Sequence, residues 1–313
     1  MLTRRHIRVK VMQSLYAYEQ SENQNLNAEE KFLKKSMEDM YDLFLLMLNL
    51  MIETRNHAES YLEKTSKMHL ATEEEKTPNR KFINNELLKR LDASEYFNNL
   101  ITDRKLTNWS RDDEYKTIIW ESLRNSQIYQ NYIESDKQSF KEDRNFVAEF
   151  FSEIIAPNEK LYDYLEDHKL TWLDDLPIVN TTIYKLIEKA KKDDVAFGIP
   201  RLFRNTEDRD FAVELMQKTI LNDGEYTSEI SKKTPNWDKE RIAELDAVLM
   251  KMAICEFVKF PSIPVKVTIN EYLEIAKEYS TPKSSIFING ILDKISKEFK
   301  ADGKLNKMGR GLM

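Results

Sequence analysis

Three arginines stand within five residues at the start of the chain, in Arg4-Arg5-His6-Ile7-Arg8. A guanidinium is a planar fork of donors that matches the oxygens of a phosphate, so a cluster of them suits a polyanion. Near the other end, Phe287-Ile288-Asn289-Gly290-Ile291-Leu292-Asp293-Lys294 gathers an aromatic ring, a side-chain amide and an ammonium. Those groups stack on unpaired bases, read their edges and neutralise phosphates. Ile263-Pro264-Val265-Lys266-Val267-Thr268-Ile269-Asn270-Glu271 precedes it and adds Lys266.

The charge is placed rather than diffuse. The chain has 313 residues and a formal net charge of −6, yet residues 1–18 contain Arg4, Arg5, Arg8 and Lys10 and no acid. Residues 294–313 carry six basic residues against Glu298 and Asp302. Basic ends around an acidic body point to a polyanionic partner; the plainer account is two solvated ends.

Other chemistry finds little support. One cysteine, Cys255, excludes an internal disulfide framework and fits a reducing, cytoplasmic setting. His6, His57, His69 and His168 are scattered without ligand spacing, so no metal site is assigned, and no cofactor. The run Glu73–Glu75 is read as a solvated face rather than as acid and base groups, and no catalytic residue is assigned. The most apolar run, Leu43 to Met51, is far short of the roughly 20 residues of a membrane span and reads as a buried helix.

The elements that must position the candidate residues are helices. Six glycines and eight prolines disfavour a turn-rich sheet, and abundant Leu, Ile, Lys and Glu favour helix. Thr3 is placed to cap a first helix running to about Tyr18, with Ile7, Val11, Leu15 and Tyr18 on one stripe and the arginines on its flank. Residues 31–64 read as a long helix or a pair, 66–82 as an exposed loop, and 84–92, 94–102 and 113–133 as shorter helices. Pro261 and Pro264 enforce a break. From Val265 a helix is expected to bury Ile269, Leu273 and Ala276; another, capped by Ser284, to bury Ile288, Ile291, Leu292, Ile295 and Phe299. The latter shows Phe287, Gly290, Lys294 and Lys297 on its other side. Gly290, inside a helix, costs about 1 kcal/mol relative to alanine, so either a close helix neighbour or an approaching ligand backbone is expected there.

An internal echo is also present. Asp143-Arg144-Asn145-Phe146 resembles Asp208-Arg209-Asp210-Phe211 at an offset of 65, and the same offset carries Trp172 onto Trp237. With a one-residue gap, Lys185 falls on Lys251. This suggests a degenerate duplication of a helical unit, of which only the second copy runs on into the Ile-Pro-Val-Lys segment.

Together, Arg4 to Arg8 continuing through Gln13-Ser14-Leu15-Tyr16, Trp237 to Glu256, Ile263 to Glu271 through Ala276-Lys277, and Phe287 to Lys294 resemble the NusB family of bacterial transcription antitermination factors. The resemblance implies an all-α fold of packed helical bundles, here with an additional helical region containing the degenerate repeat. It implies an RNA-binding protein that binds boxA RNA together with the ribosomal protein NusE, within the RNA polymerase antitermination complex, and supports transcription of rRNA operons. Arg4, Arg5, Arg8, Tyr16, Lys266, Phe287, Asn289 and Lys294 would then face RNA, and Asp246 and Lys283 the protein partner. The implied organisation is a basic helix at 1–20, a helical extension at 21–135, a first repeat copy at 140–205, a core at 206–300 and a basic tail at 301–313.

Three departures stand out. The chain is about twice the family's usual length, Ser285-Ile286 replaces a common His-Lys, and Lys283 stands at a commonly acidic position. Two rivals are a methyltransferase carrying such a domain, which lacks the necessary glycine-rich turn, and a helical protein scaffold without specific RNA binding.

Overall fold

A computed structural model describes residues 1–22, 24–192, 198–234 and 243–312. Among them the helices are α1 (Arg4–Gln20), α2 (Leu26–Ser66), α3 (Glu73–Lys76), α4 (Glu86–Asp92), α5 (Glu95–Asp103), α6 (Asn108–Arg111), α7 (Glu114–Arg124), α8 (Gln127–Glu134), α9 (Phe140–Glu149), α10 (Glu159–His168), α11 (Thr171–Lys189), α12 (Thr206–Leu221), α13 (Asp223–Lys233), α14 (Glu244–Lys259), α15 (Val265–Tyr279) and α16 (Ser284–Ala301). No strand occurs among the described residues, and no helix there is long and apolar enough to cross a membrane. The fold is all-α.

The chain divides into two compact units. One comprises Met1–Met37 and Leu202–Met313, the other Glu38–Arg201, so the candidate residues from both ends of the sequence share the first unit. The break falls inside α2, which is one helix of 41 residues rather than a pair. Leu43 to Met51 is buried as expected, apart from partly exposed Asn49.

In the first unit α14 is the central rod. Val248 through Phe257 are all buried, because α1, α12, α13, α15 and α16 pack around it. Thr3 caps α1 by accepting from the His6 amide, and His6 returns a bond to the Thr3 amide. Two sequence expectations need correction. α15 buries Thr268, Tyr272, Ile275 and Ala276, whereas Ile269 and Leu273 are only half-buried, because the inward face carries hydroxyls for a buried carboxylate. Ser284 is the first residue of α16, not its cap; its hydroxyl sits among those of Ser280 and Thr281.

The second unit is built around an aromatic cluster. Phe82 stacks on Trp120 at 5.8 Å and meets Tyr129, Phe146 and Phe150 edge-on at 5.8–6.0 Å. The segment expected to be an exposed loop therefore ends in a core residue, and its middle forms α3, closed by a Thr72–Glu75 capping box. After α9 the chain widens into a π-helical turn, Phe150–Ile155, that buries Phe150, Phe151 and Ile155. The Trp109 and Trp172 indoles each donate to a main-chain carbonyl of α2, Leu46 and Asp39, at 2.8 Å.

Of the residues of the internal echo, Asp143 and Lys185 lie on α9 and α11, Asp208 and Lys251 on α12 and α14, and their partners differ. Asp143 accepts from Tyr132 Oη at 2.6 Å and from the Glu86 amide at 2.7 Å, fixing the start of α4, while Asp208 accepts from Arg4. Lys185 is exposed, whereas Lys251 is buried between Glu19 and Asp223 at 2.9 and 2.7 Å. Trp237, the counterpart of Trp172, lies outside the described residues.

Phe82→Ala removes the ring that four other aromatic side chains share and is expected to destabilise the second unit by about 3–5 kcal/mol. Urea unfolding followed by tryptophan fluorescence, with Trp120 beside the lesion, checks this; an unmoved midpoint contradicts the cluster's central place.

Candidate nucleic-acid interface

α1 begins with arginines and has no acid in its first turn. A helix N-terminus carries partial positive charge, so this arrangement is locally unfavourable. Acids from three other helices compensate. Arg4 donates from Nε to Asp208 Oδ1 of α12 at 3.0 Å, with its guanidinium 5.0 Å from the centre of the Phe211 ring. Arg5 lays its fork on Glu271 of α15, Nε and Nη2 each at 2.9 Å. The hydrogen bond from Arg5, aided by the charges of Arg5 and Arg8, holds the Glu271 carboxyl below its ordinary pKa.

Arg8 goes further inward. Its side chain is 2 % exposed and its fork grips Glu256 of α14, itself fully buried, at 2.6 and 2.9 Å. Thr268 and Tyr272 donate hydroxyls to the same carboxylate at 3.0 and 2.8 Å. Burial works against the Arg8 charge, but Glu256 outweighs it, and the guanidinium pKa lies above its ordinary value. Glu271, 3.7 Å from Arg8 Nη1, serves two arginines. Lys10, the remaining cation of this stretch, is also buried.

The basic N-terminus is thus largely neutralised from within, which corrects its reading as free positive charge. Arg8 has no guanidinium surface left for a phosphate. Arg4 and Arg5, 38 % and 42 % exposed, keep an open side, and a phosphate there would share the fork with a carboxylate. The C-terminal tail is likewise partly engaged: Lys307 Nζ donates to the main-chain oxygens of Glu256 and Phe260, both at 3.0 Å. Burial lowers the pKa of that ammonium to about 8.

α16 presents the opposite case. Asn289, Gly290 and Lys294 are exposed and Phe287 is half-buried. Lys283 and Lys294 are exposed and make no ion pair among the described residues, whereas Lys297 pairs with Asp293 at 2.6 Å. Lys266, at the start of α15, is exposed and unpaired in the same sense. A Cβ added to Gly290 would meet nothing within 4 Å, so among the described residues there is no close helix neighbour that could account for a glycine there. Asp246 is not open to a partner: it is 4 % exposed and accepts from Ser280 Oγ at 2.6 Å.

The arginines and the start of α16 are anchored at different points along α14. Arg8 is anchored at Glu256, while Ser284 reaches Asp246 through Ser280, ten residues back along α14 and roughly 15 Å away at the helical rise. Tyr16, 39 % exposed, lies two turns beyond Arg8 on α1.

Comparison with known proteins shows what the sequence is similar to. The NusB family model matches residues 182–297, a stretch holding α12 to α15 and most of α16. A transcription antitermination protein NusB of Koribacter versatilis is 40 % identical over 117 residues, 37 % of this chain and 80 % of the relative. The chain belongs to the NusB family. NusB-named proteins of Salinibacter ruber and Chloroherpeton thalassium are 45 % and 42 % identical, over 34 % and 41 % of this chain. The matched stretches cover 66 % and 61 % of those two relatives, less than two thirds of their length. No solved structure matches the chain. The family model begins beyond α1, so the arginines are placed by their ion pairs and not by that match.

Sequence reading missed Glu256, Glu271 and Asp208 as partners, since each lies more than 200 residues from its arginine. It also missed Arg204, exposed and beside the amino terminus: Leu2 N donates to Leu202 O at 2.9 Å, and burial followed by the Arg204 charge lowers the Met1 ammonium pKa. The two arginines of Pro200-Arg201-Leu202-Phe203-Arg204 were the available signal.

Arg8→Met leaves a carboxylate buried without a counter-charge and is expected to cost about 3–5 kcal/mol. Urea titration of the full chain measures this, and a loss below about 1 kcal/mol would show that the pair does not hold the helices together.

Proposed function

We propose that the chain is a non-catalytic RNA-binding transcription antitermination factor that acts with NusE on boxA RNA and supports processive transcription of rRNA operons. The observation that carries this reading is the exposed face at the start of α16, where Lys283 and Lys294, unpaired among the described residues, flank Phe287 and Asn289. Lysines that lack internal partners are available to phosphates, and a partly exposed ring offers a platform for an unstacked base. Membership of a family whose named relatives are antitermination proteins supports it. A nucleophilic role for Cys255 is disfavoured, because the thiol is buried and burial raises its pKa to about 11.

The RNA-facing set we propose is Arg4, Arg5, Tyr16, Lys266, Phe287, Asn289 and Lys294, joined by Arg204, with Arg8 as a structural pin. Lys283 is assigned to the same face rather than to a protein partner. The pairing of Arg4 and Arg5 with carboxylates favours a second reading, a helical scaffold without specific RNA binding.

Titration of boxA RNA and of a scrambled RNA, with and without NusE and over a range of salt, separates the two. Preferential boxA binding is expected, with log affinity falling linearly against log salt. Arg4→Ala with Arg5→Ala weakens binding, and Lys294→Ala lowers the slope by about 0.7 for its one phosphate. Equal retention of scrambled RNA in both conditions favours the scaffold.

A further inference from the structure

Gly290 is the feature of this face that folding does not explain. It lies in the interior of α16, with complete helical turns on either side. Glycine is poorly suited to a helix interior, since it loses more backbone freedom than any other residue and packs nothing. Three structural reasons could keep it there, and each fails. Its φ is not positive, unlike those of Gly198, Gly303 and Gly309. No turn or helix end lies nearby. No described atom occupies the space a Cβ would fill.

Its surroundings indicate an external reason. Lys283, Phe287, Gly290, Lys294 and Lys297 follow one another at intervals of four, three, four and three, which places them along one side of α16. The glycine stands in the middle of a stripe whose other members are an aromatic ring and three lysines. Without a side chain, the helix backbone at that point can be approached directly, with a lysine about one turn to one side and the ring about one turn to the other.

We infer that Gly290 is the point at which the sugar–phosphate backbone of single-stranded RNA lies against α16, between a base stacked on Phe287 and a phosphate held by Lys294. This rests on the RNA-binding reading above and adds a residue that contributes by the absence of a side chain. The occupant is RNA rather than protein because the stripe is cationic, with Lys283 and Lys294 free of ion pairs among the described residues. Single-stranded RNA, unlike a duplex, can bring an unstacked base onto the ring and its own backbone onto the helix together.

The test is Gly290→Ala in the full chain. Alanine fits the open space, so the melting temperature is expected to rise by about 2–4 °C. BoxA RNA affinity is expected to fall about tenfold, equivalent to about 1.4 kcal/mol. The slope against salt should be unchanged, because no charge is removed. Gly224→Ala is the control: Gly224 is exposed near the start of α13, a Cβ there also meets nothing within 4 Å, and RNA affinity should not change. A Gly290→Ala protein that is more stable and binds boxA RNA as the wild type does would falsify the inference while leaving the RNA-binding reading intact. Loss of NusE binding with RNA affinity retained overturns it in favour of a protein contact. Absence of boxA preference in the wild type defeats the RNA reading and this inference with it.

Discussion

The first unit depends on a single buried charge pair. Arg8 reaches from α1 to Glu256 on α14, and the two side chains are 2 % and 0 % exposed. A buried charge is tolerated only when it is paired and its remaining hydrogen-bonding capacity is filled. That requirement fixes much of what surrounds it. Thr268 and Tyr272 must face inward from α15 to complete the Glu256 carboxylate, so the inward face of that helix is not its most apolar one. Glu271 then falls where it can meet Arg5 and Arg8 together. Lys307 brings the tail back onto the end of α14.

This pair and its neighbours also decide which cations of the first unit stay open. The arginines, which carry most of the basic character of the first residues, are balanced by carboxylates, whereas Lys283 and Lys294 make no ion pair among the described residues. A cation held by a carboxylate offers a phosphate less than a free one, since the newcomer must share the donors and meet the carboxylate's repulsion. The arginines are therefore pre-organised and their charge is offset, while Lys283 and Lys294 are exposed and unpaired among the described residues. Such a division is compatible with the RNA-binding role we propose, the arginines orienting a strand and the lysines neutralising it.

The second unit shows how similar sequence segments come to do different work. We propose that α9 to α11 and α12 to α14 descend from one duplicated unit. Asp143 and Asp208 correspond, but one receives Tyr132 and the start of α4, the other Arg4. Phe146 stacks on Tyr132 at 3.9 Å, whereas the Phe211 ring lies beneath Arg4 and Arg8 at 5.0 and 5.4 Å. The copy without an arginine helix uses the same residue types for packing.

The sequence by itself determined the helices and most of their buried faces, because apolar spacing, a capping threonine and two prolines act over a few residues. It was enough to place Ile288, Ile291, Leu292, Ile295 and Phe299 in the core and to single out Gly290 as a residue in need of a reason. It did not determine which cations are free. Ion pairing is decided across more than 200 residues of chain, where Asp208, Glu256 and Glu271 meet Arg4, Arg8 and Arg5 only after α12, α14 and α15 have packed against α1. Nor could spacing tell a glycine that admits a neighbouring helix from one that faces open space. Local periodicity records which way a side chain points, and only the tertiary structure supplies what it meets there.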